Sequence, residues 1–180
     1  SRDFYDVAAK FLGHKPGGLA LASTGACAGF GAISGSSLAT VATIGLVALS
    51  EMRRQNYAPG LSTGAIAAGG SIGSLIPPSA ALIVFGILAE QSIGRLFTAA
   101  IIPALTQALF YMGVIVIVCA LNPSLGPKKP RAPWRERIGS LARLWDIFLL
   151  IALVIGGIAM GWFSPTEAAS VGGVAALALC

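Results

Sequence analysis

GGSIGSLIPPS, residues Gly69 to Ser79, decides how this chain folds. It lies inside a long apolar run, Leu61 to Ala89, where an unbroken helix is the default, yet it combines clustered glycines with a double proline. Pro77 and Pro78 each remove a backbone donor, and the glycines weaken helical order around them. The run therefore predicts two half-helices joined by irregular backbone. Small residues and proline kinks also occur where membrane helices merely pack closely, so the break alone leaves packing and a site both open.

The solvent around this break follows from composition. Of 180 residues, 56% are hydrophobic and 11% charged, with a mean hydropathy of +0.82, whereas soluble domains carry about 25% charged residues. The chain reads as an all-α integral membrane protein. Further apolar blocks run over Gly17–Ser50, Phe97–Leu121 and Trp145–Phe163, each about the ~20 residues a helix needs to cross a bilayer, or more. A last apolar run, Ala168–Cys180, stops in mid-segment, and no initiator Met opens the chain, so a fragment is expected.

A formal charge of +5 and a pI near 9.5 would also suit a nucleic-acid binder, so the positions of the charges matter. They fall between the apolar blocks. Arg2, Lys10 and Lys15 precede Gly17–Ser50, Arg53 and Arg54 follow it, and Lys128, Lys129, Arg131, Arg135, Arg137 and Arg143 fill the loop before Trp145. Lys and Arg beside spans mark the cytoplasmic side. Gly17–Ser50 then enters and leaves on one side, Leu61–Ala89 crosses outward, Phe97–Leu121 returns, and Trp145–Phe163 crosses outward again. Only Arg95 breaks the rule, and Trp134, Trp145 and Trp162 fall near the expected interfaces. The basic run is thus a topology signal in contact with membrane lipid, and no nucleic-acid partner is expected.

A block that does not cross must turn. GFGAISGSS, Gly29 to Ser37, concentrates glycine and serine midway along it, leaving limbs of roughly 15 residues, short for a span. The expected element is a re-entrant helical hairpin. Irregular backbone at that depth survives only when buried in protein or facing a watery cavity. Beside the broken helix, the tip Ser34–Gly35–Ser36–Ser37 supplies a second interruption rich in hydroxyls. Half-helix ends offer carbonyls to a cation and amides to an anion, so the pair predicts a site for an alkali cation and a small anion.

Other chemistries fit poorly. His14 lies in a polar flank, which argues against an intramembrane serine hydrolase built on Ser34. Cys27, Cys119 and Cys180 are widely separated within apolar runs and have no ligand spacing. No enzyme, no cofactor and no metal other than a coupling sodium ion is expected.

Four stretches, GAISGSSLATVATIG (Gly31–Gly45), EMRRQNYAPGLSTGAIAAGGSIGSLIPPS (Glu51–Ser79), SIGRLFTAAIIPAL (Ser92–Leu105) and SPTEAA (Ser164–Ala169), together resemble the large, DctM-like permease subunit of tripartite ATP-independent periplasmic (TRAP) transporters. The resemblance covers nearly the whole chain in order. Where family members often show Gly-Thr-Leu-Gly-Ile before the Ile-Pro-Pro, this chain has Gly70–Ser71–Ile72–Gly73–Ser74.

The resemblance implies an elevator-type secondary transporter with inverted repeats, of which this chain holds the first and the start of the second. Residues 1–121 would be the first-repeat portion, with the re-entrant hairpin at about 17–50, the broken helix at about 61–89 and a crossing helix at about 97–121. Residues 122–144 would be a cytoplasmic basic connector, and residues 145–180 the opening of the second repeat, with a crossing helix at 145–163. The implied activity is sodium-driven import of a small organic acid, such as a C4-dicarboxylate or sialic acid, across the bacterial inner membrane. A periplasmic solute-binding protein would deliver the acid, and a small four-helix membrane subunit, separate or fused, would assist.

Carried onto this sequence, the first sodium site would use Ser34, Gly73, Ile76 and Pro78, with Ser36, Ser37 and Ser71 next in line. Ser36, Ser79 and Ala80 are the candidates for the solute carboxylate, on helix-dipole reasoning alone. A second sodium site and the rest of the pocket would lie beyond Cys180. In SPTEAA, Ser164 suits a helix cap, with Pro165 and Glu167 in the first turn. Two rivals remain at this point: a binding-protein-independent anion/sodium symporter of related fold, and an ion channel with re-entrant pore loops.

Overall fold

Gly35 and Ser36 turn the apolar block Gly17–Ser50 back on itself. In the computed structural model, which describes residues 2–128, 133–141 and scattered positions thereafter, helix α2 (Gly18–Ser34) ends where Gly35 takes a left-handed φ of 57° and returns its N–H to the Gly31 carbonyl. A side chain there would be strained, so glycine stops the helix. Ser36 then caps α3 (Ser37–Arg54), its hydroxyl oxygen accepting from the Ala39 N–H at 3.4 Å. The two helices form a helical hairpin, with α3 running past Ser50 to Arg54.

The second apolar block is broken. Helix α4 (Pro59–Ile72) starts on a proline, ends beside Gly73, and gives way to irregular backbone until α5 (Ala80–Leu88). The Pro77–Pro78 peptide bond is cis. Helix α6 (Ile93–Leu121) begins a turn earlier than Phe97, and is, among the described residues, the one helix long and apolar enough to cross a membrane. It buries Phe97, Ala100, Ala104, Ala108, Ile115 and Cys119 on one stripe. Its other face leaves Ile102, Leu105, Leu109 and Phe110 exposed, an apolar surface that suits lipid or further protein.

Three elements were not anticipated. Helix α1 (Arg2–Leu12) packs on α2 with Tyr5 and Val7 buried, although its sequence read only as a basic flank. Its apolar positions follow helical spacing over just three turns, too short for a span and easily masked by the charges among them. The basic connector contains a 3-10 turn (Pro123–Leu125) and helix α7 (Trp134–Leu141), which packs on α1 and sets the buried Arg137 guanidinium 5.8 Å from the centre of the Phe11 ring. Among the described residues all regular structure is helical. The span expected over Trp145–Phe163 and the run Ala168–Cys180 lie largely outside the described residues.

The ends that sequence reasoning assigned to one side do meet. The Gly17 N–H donates to the Gly126 carbonyl at 3.0 Å, and the Ala58 N–H donates to the Leu125 carbonyl at 3.0 Å. The buried Tyr57 hydroxyl donates to the Pro127 carbonyl at 2.8 Å and accepts from the Leu19 N–H at 3.2 Å. The turn before α2, the turn before α4 and the segment after α6 are thereby laced together, with Lys15, Arg53, Arg54 and Lys128 exposed around them. From this end α2 has 17 residues and α4 has 14, so the tip and the break both lie about 20–25 Å along their helices.

Candidate functional site

The hairpin tip rests directly on the break. A Cβ added to Gly31 would stand 2.6 Å from the Gly73 Cα, and one on Gly35 would collide with the Pro78 carbonyl oxygen. From the other side, a Cβ on Gly73 would lie 2.8 Å from the Thr40 Oγ1 and 3.3 Å from the Ser36 carbonyl oxygen. At Gly31 and Gly35 backbone meets backbone, and at Gly73 the backbone meets the Thr40 hydroxyl and the Ser36 carbonyl, approaches that only glycine permits. The two interruptions marked by the sequence are therefore one contact.

At the tip the hydroxyls bind one another. Ser34 Oγ lies 2.9 Å from Thr40 Oγ1 and 3.4 Å from the Ser36 carbonyl oxygen, and it accepts from the Ser36 N–H at 3.4 Å. Thr40 is fully buried and its hydroxyl donates to the Ser36 carbonyl at 2.8 Å. Ser36 and Ser37 are half-buried at the start of α3, and the Ser37 carbonyl oxygen lies near Gly70.

The break is satisfied differently. The amides of Leu75 and Ile76 both return to the Ile72 carbonyl, at 2.9 and 3.0 Å. Ser79, fully buried, donates its hydroxyl across the loop to the Ser74 carbonyl and makes no side-chain cap for α5. Among the described residues the carbonyls of Gly73, Ile76 and Pro78 receive no hydrogen bond, and the first amides of α5, from Ala80 on, have no intrahelical acceptor.

The electrostatics follow from the helix ends. The negative ends of α2 and α4 and the positive ends of α3 and α5 converge within this one contact. Residues 34–40 and 69–80 contain no Asp, Glu, His, Lys or Arg, so every local partner is a neutral oxygen or a peptide dipole. Such a set suits a hard monovalent cation beside a small anion, and it offers no acid or base for chemistry on a substrate.

Of the residues singled out from sequence, Ser34, Ser36, Gly73, Pro78 and Ser79 are brought together, with Ile76 and Ala80 on the same broken segment and Ser37 at the start of α3. Ser71 faces elsewhere: its exposed hydroxyl donates to Ala68 and lies 3.4 Å from the Tyr111 hydroxyl and 3.3 Å from Gln107 Nε2 on α6. Sequence reasoning missed Thr40, whose signal was its position one turn after Ser36, on the same helix face. It also missed Gln107 and Tyr111, which bond each other at 2.9 Å. A glutamine inside an apolar helix was the signal there.

A sequence profile described as tripartite ATP-independent periplasmic transporter, DctM component, matches residues 1–180. The chain is 41% identical to the C4-dicarboxylate TRAP transporter large permease protein DctM of Pseudomonas aeruginosa, a match covering 97% of this chain and 40% of that protein. It is 38% identical to the ectoine TRAP transporter large permease protein TeaC of Halomonas elongata, over 89% of this chain and 37% of the relative. It is 35% identical to the sialic acid TRAP transporter permease protein SiaT of Haemophilus influenzae, over 93% of this chain and 27% of the relative. The chain thus spans 40% or less of the length of these relatives.

Proposed function

The chain belongs to the DctM component family of tripartite ATP-independent periplasmic transporters, and from that premise we propose that it carries the first cation and solute half-site of a sodium-coupled importer of small organic acids. The observation behind this reading is the contact between hairpin tip and helix break, where both dipole signs meet among neutral oxygens. In surroundings of low dielectric, a cation bound there alone would be poorly compensated, and so would a carboxylate. Bound together, each lowers the cost of the other. That mutual dependence is the physical content of symport.

In this scheme sodium takes the Ser34 hydroxyl oxygen and the open carbonyls of Gly73, Ile76 and Pro78, with Ser36 and Ser37 close by. Ser71, whose hydroxyl is engaged toward α6, would reach the ion only after turning away from Tyr111. The solute carboxylate takes the first amides of α5 beside Ser79 and Ala80, within reach of Ser36. The hairpin is re-entrant from the cytoplasmic side, since its basic flanks lie at the end that Tyr57 ties to Pro127. Loaded hairpin and broken helix then move together as an elevator. The setting is the bacterial inner membrane, with a periplasmic binding protein delivering the acid and a small membrane subunit, separate or fused, supporting the permease. Relatives named for C4-dicarboxylate, ectoine and sialic acid transport support a carboxylate-bearing solute.

The test is uptake of labelled organic acids into proteoliposomes holding the full-length permease and its small subunit. The acid is presented by the binding protein, with and without an inward sodium gradient. Uptake that needs both sodium and binding protein is the expected result. Sodium-dependent uptake without the binding protein would move the chain to another kind of symporter, and steady ion leak with no solute uptake would make it a channel.

A further inference from the structure

Back-bonding from a threonine to the carbonyl four residues earlier is common and here explains Thr24, Thr98 and Thr106, whose hydroxyls reach Ala20, Gly94 and Ile102. Thr40 does more. Its oxygen also lies 2.9 Å from Ser34 Oγ on the preceding helix, and it occupies the surface against which Gly73 packs. It is a fully buried side chain that touches both the tip and the break.

The protons can be assigned. The Ser36 carbonyl only accepts, so the 2.8 Å bond from Thr40 uses the Thr40 proton. The 2.9 Å contact must then be donated by Ser34, since Thr40 has no second proton to give. The remaining contact of Ser34 Oγ to the Ser36 carbonyl, at 3.4 Å, is too long to compete. Ser34 is left with lone pairs alone on its free side, one facing the Ser36 N–H at 3.4 Å.

Resting on the cation reading above, we propose that Thr40 is a positioning residue that holds the Ser34 hydroxyl proton on its own oxygen and so presents the Ser34 oxygen to the cation as a pure acceptor. Without the Thr40 oxygen, the Ser34 proton turns toward the ion or spreads over weaker acceptors, and the ligand is lost part of the time. Thr40 does not touch the solute, so solute recognition at saturating sodium does not depend on it.

The experiment uses the full-length permease with its small subunit and binding protein in proteoliposomes, comparing Thr40→Val, Thr40→Ser and Ser34→Ala. Thr40→Val keeps the shape and removes the hydroxyl. It should raise the sodium concentration for half-maximal uptake roughly five- to tenfold, leaving the solute KM at saturating sodium unchanged. Thr40→Ser should restore the original sodium response. In purified protein, the sodium concentration that half-stabilises the fold against heat should shift in parallel, a readout that needs no transport. If Ser34→Ala shifts the sodium response and Thr40→Val does not, the inference fails and the cation site stands. Equal loss of uptake in Thr40→Val and Thr40→Ser with no sodium shift would make Thr40 a packing residue and overturn the inference. Sodium-independent uptake by the unaltered protein would overturn the cation site and this inference together.

Discussion

Two interruptions of helix meet in this molecule, and they handle their loose ends in opposite ways. The hairpin tip satisfies itself: Gly35 returns its amide to Gly31, Ser36 caps α3, and Ser34 and Thr40 share a hydrogen bond. The break does not. Ser79 braces the loop through Ser74 and gives α5 no side-chain cap, and among the described residues the carbonyls of Gly73, Ile76 and Pro78 accept no hydrogen bond. Buried polar groups without partners are costly, so the open half is where ligands gain most by binding, and the closed half is the surface they bind against. A structural kink would need no such asymmetry.

The comparison breaks first if the two halves are forced apart. Gly31→Ala places a Cβ 2.6 Å from the Gly73 Cα, and neither backbone can yield cheaply. We expect a loss of about 3 kcal/mol or more in stability and uptake reduced by more than about tenfold. Gly64→Ala is the control, because its Cβ would meet nothing within 4 Å; a helical Gly→Ala of this kind should be neutral or stabilising by about 0.5–1 kcal/mol. Thermal unfolding of both purified full-length variants, alongside uptake, checks the pair. Equal effects would mean that the tip and the break do not work in contact.

The next substitution closes the open half. Pro78→Ala returns a backbone donor and a better helix former to the loop between α4 and α5. The expected outcome is a several-fold rise in the sodium concentration for half-maximal uptake, with membrane levels of the protein little changed. Parallel loss of insertion and sodium dependence would assign Pro78 to folding instead. A smaller and separable effect is expected for Ser79→Ala, which removes the brace to Ser74, a hydrogen bond of about 0.5–1.5 kcal/mol. The solute KM should rise a few-fold while the sodium response holds, and the reverse pattern would move the carboxylate away from α5.

How much of this was legible in the sequence depended on whether the signal was local. Gly35 and Pro77–Pro78 act on their own backbone, so the hairpin and the break could be read from composition and spacing. The lacing of Gly17 to Gly126 and Tyr57 to Pro127 was foreshadowed only by charge, because basic loops said which ends share a side and nothing about which atoms meet. Thr40 was legible only as a hydroxyl one turn after Ser36, on the same helix face. Its role comes from a proton that can go only one way once Ser34 and the Ser36 carbonyl are in place, and that arrangement exists only after the tip folds. Ser71 errs in the opposite direction: it is a hydroxyl in the right stretch, yet the helix turns it toward Gln107 and Tyr111.

The smallest effect belongs to a self-satisfied pair, Ser164 and Glu167, and it sharpens the contrast from outside the site. Ser164 and Glu167 form a reciprocal cap: the Ser164 N–H and hydroxyl each donate to the Glu167 carboxylate at 2.8 Å, and the Glu167 N–H donates to Ser164 Oγ at 3.3 Å. The Ser164 amide, then its hydroxyl, hold the Glu167 carboxyl below its ordinary value of 4.5. A carboxylate with a depressed native pKa contributes stability that is whole above the ordinary value and fades as the pH falls through the lower one. Because the group is exposed, the contribution is small and screened. Hydrogen exchange at the Ser164 and Glu167 amides of the full-length protein should therefore be flat from neutral pH down to about 5 after correction for intrinsic exchange, then lose protection on further acidification. Glu167→Gln, which keeps one acceptor and loses the charge, should show the weaker protection at every pH while uptake and its sodium response stay unchanged. A change in solute KM with Glu167→Gln would mean that this cap, unlike the hairpin tip's, is open to the solute.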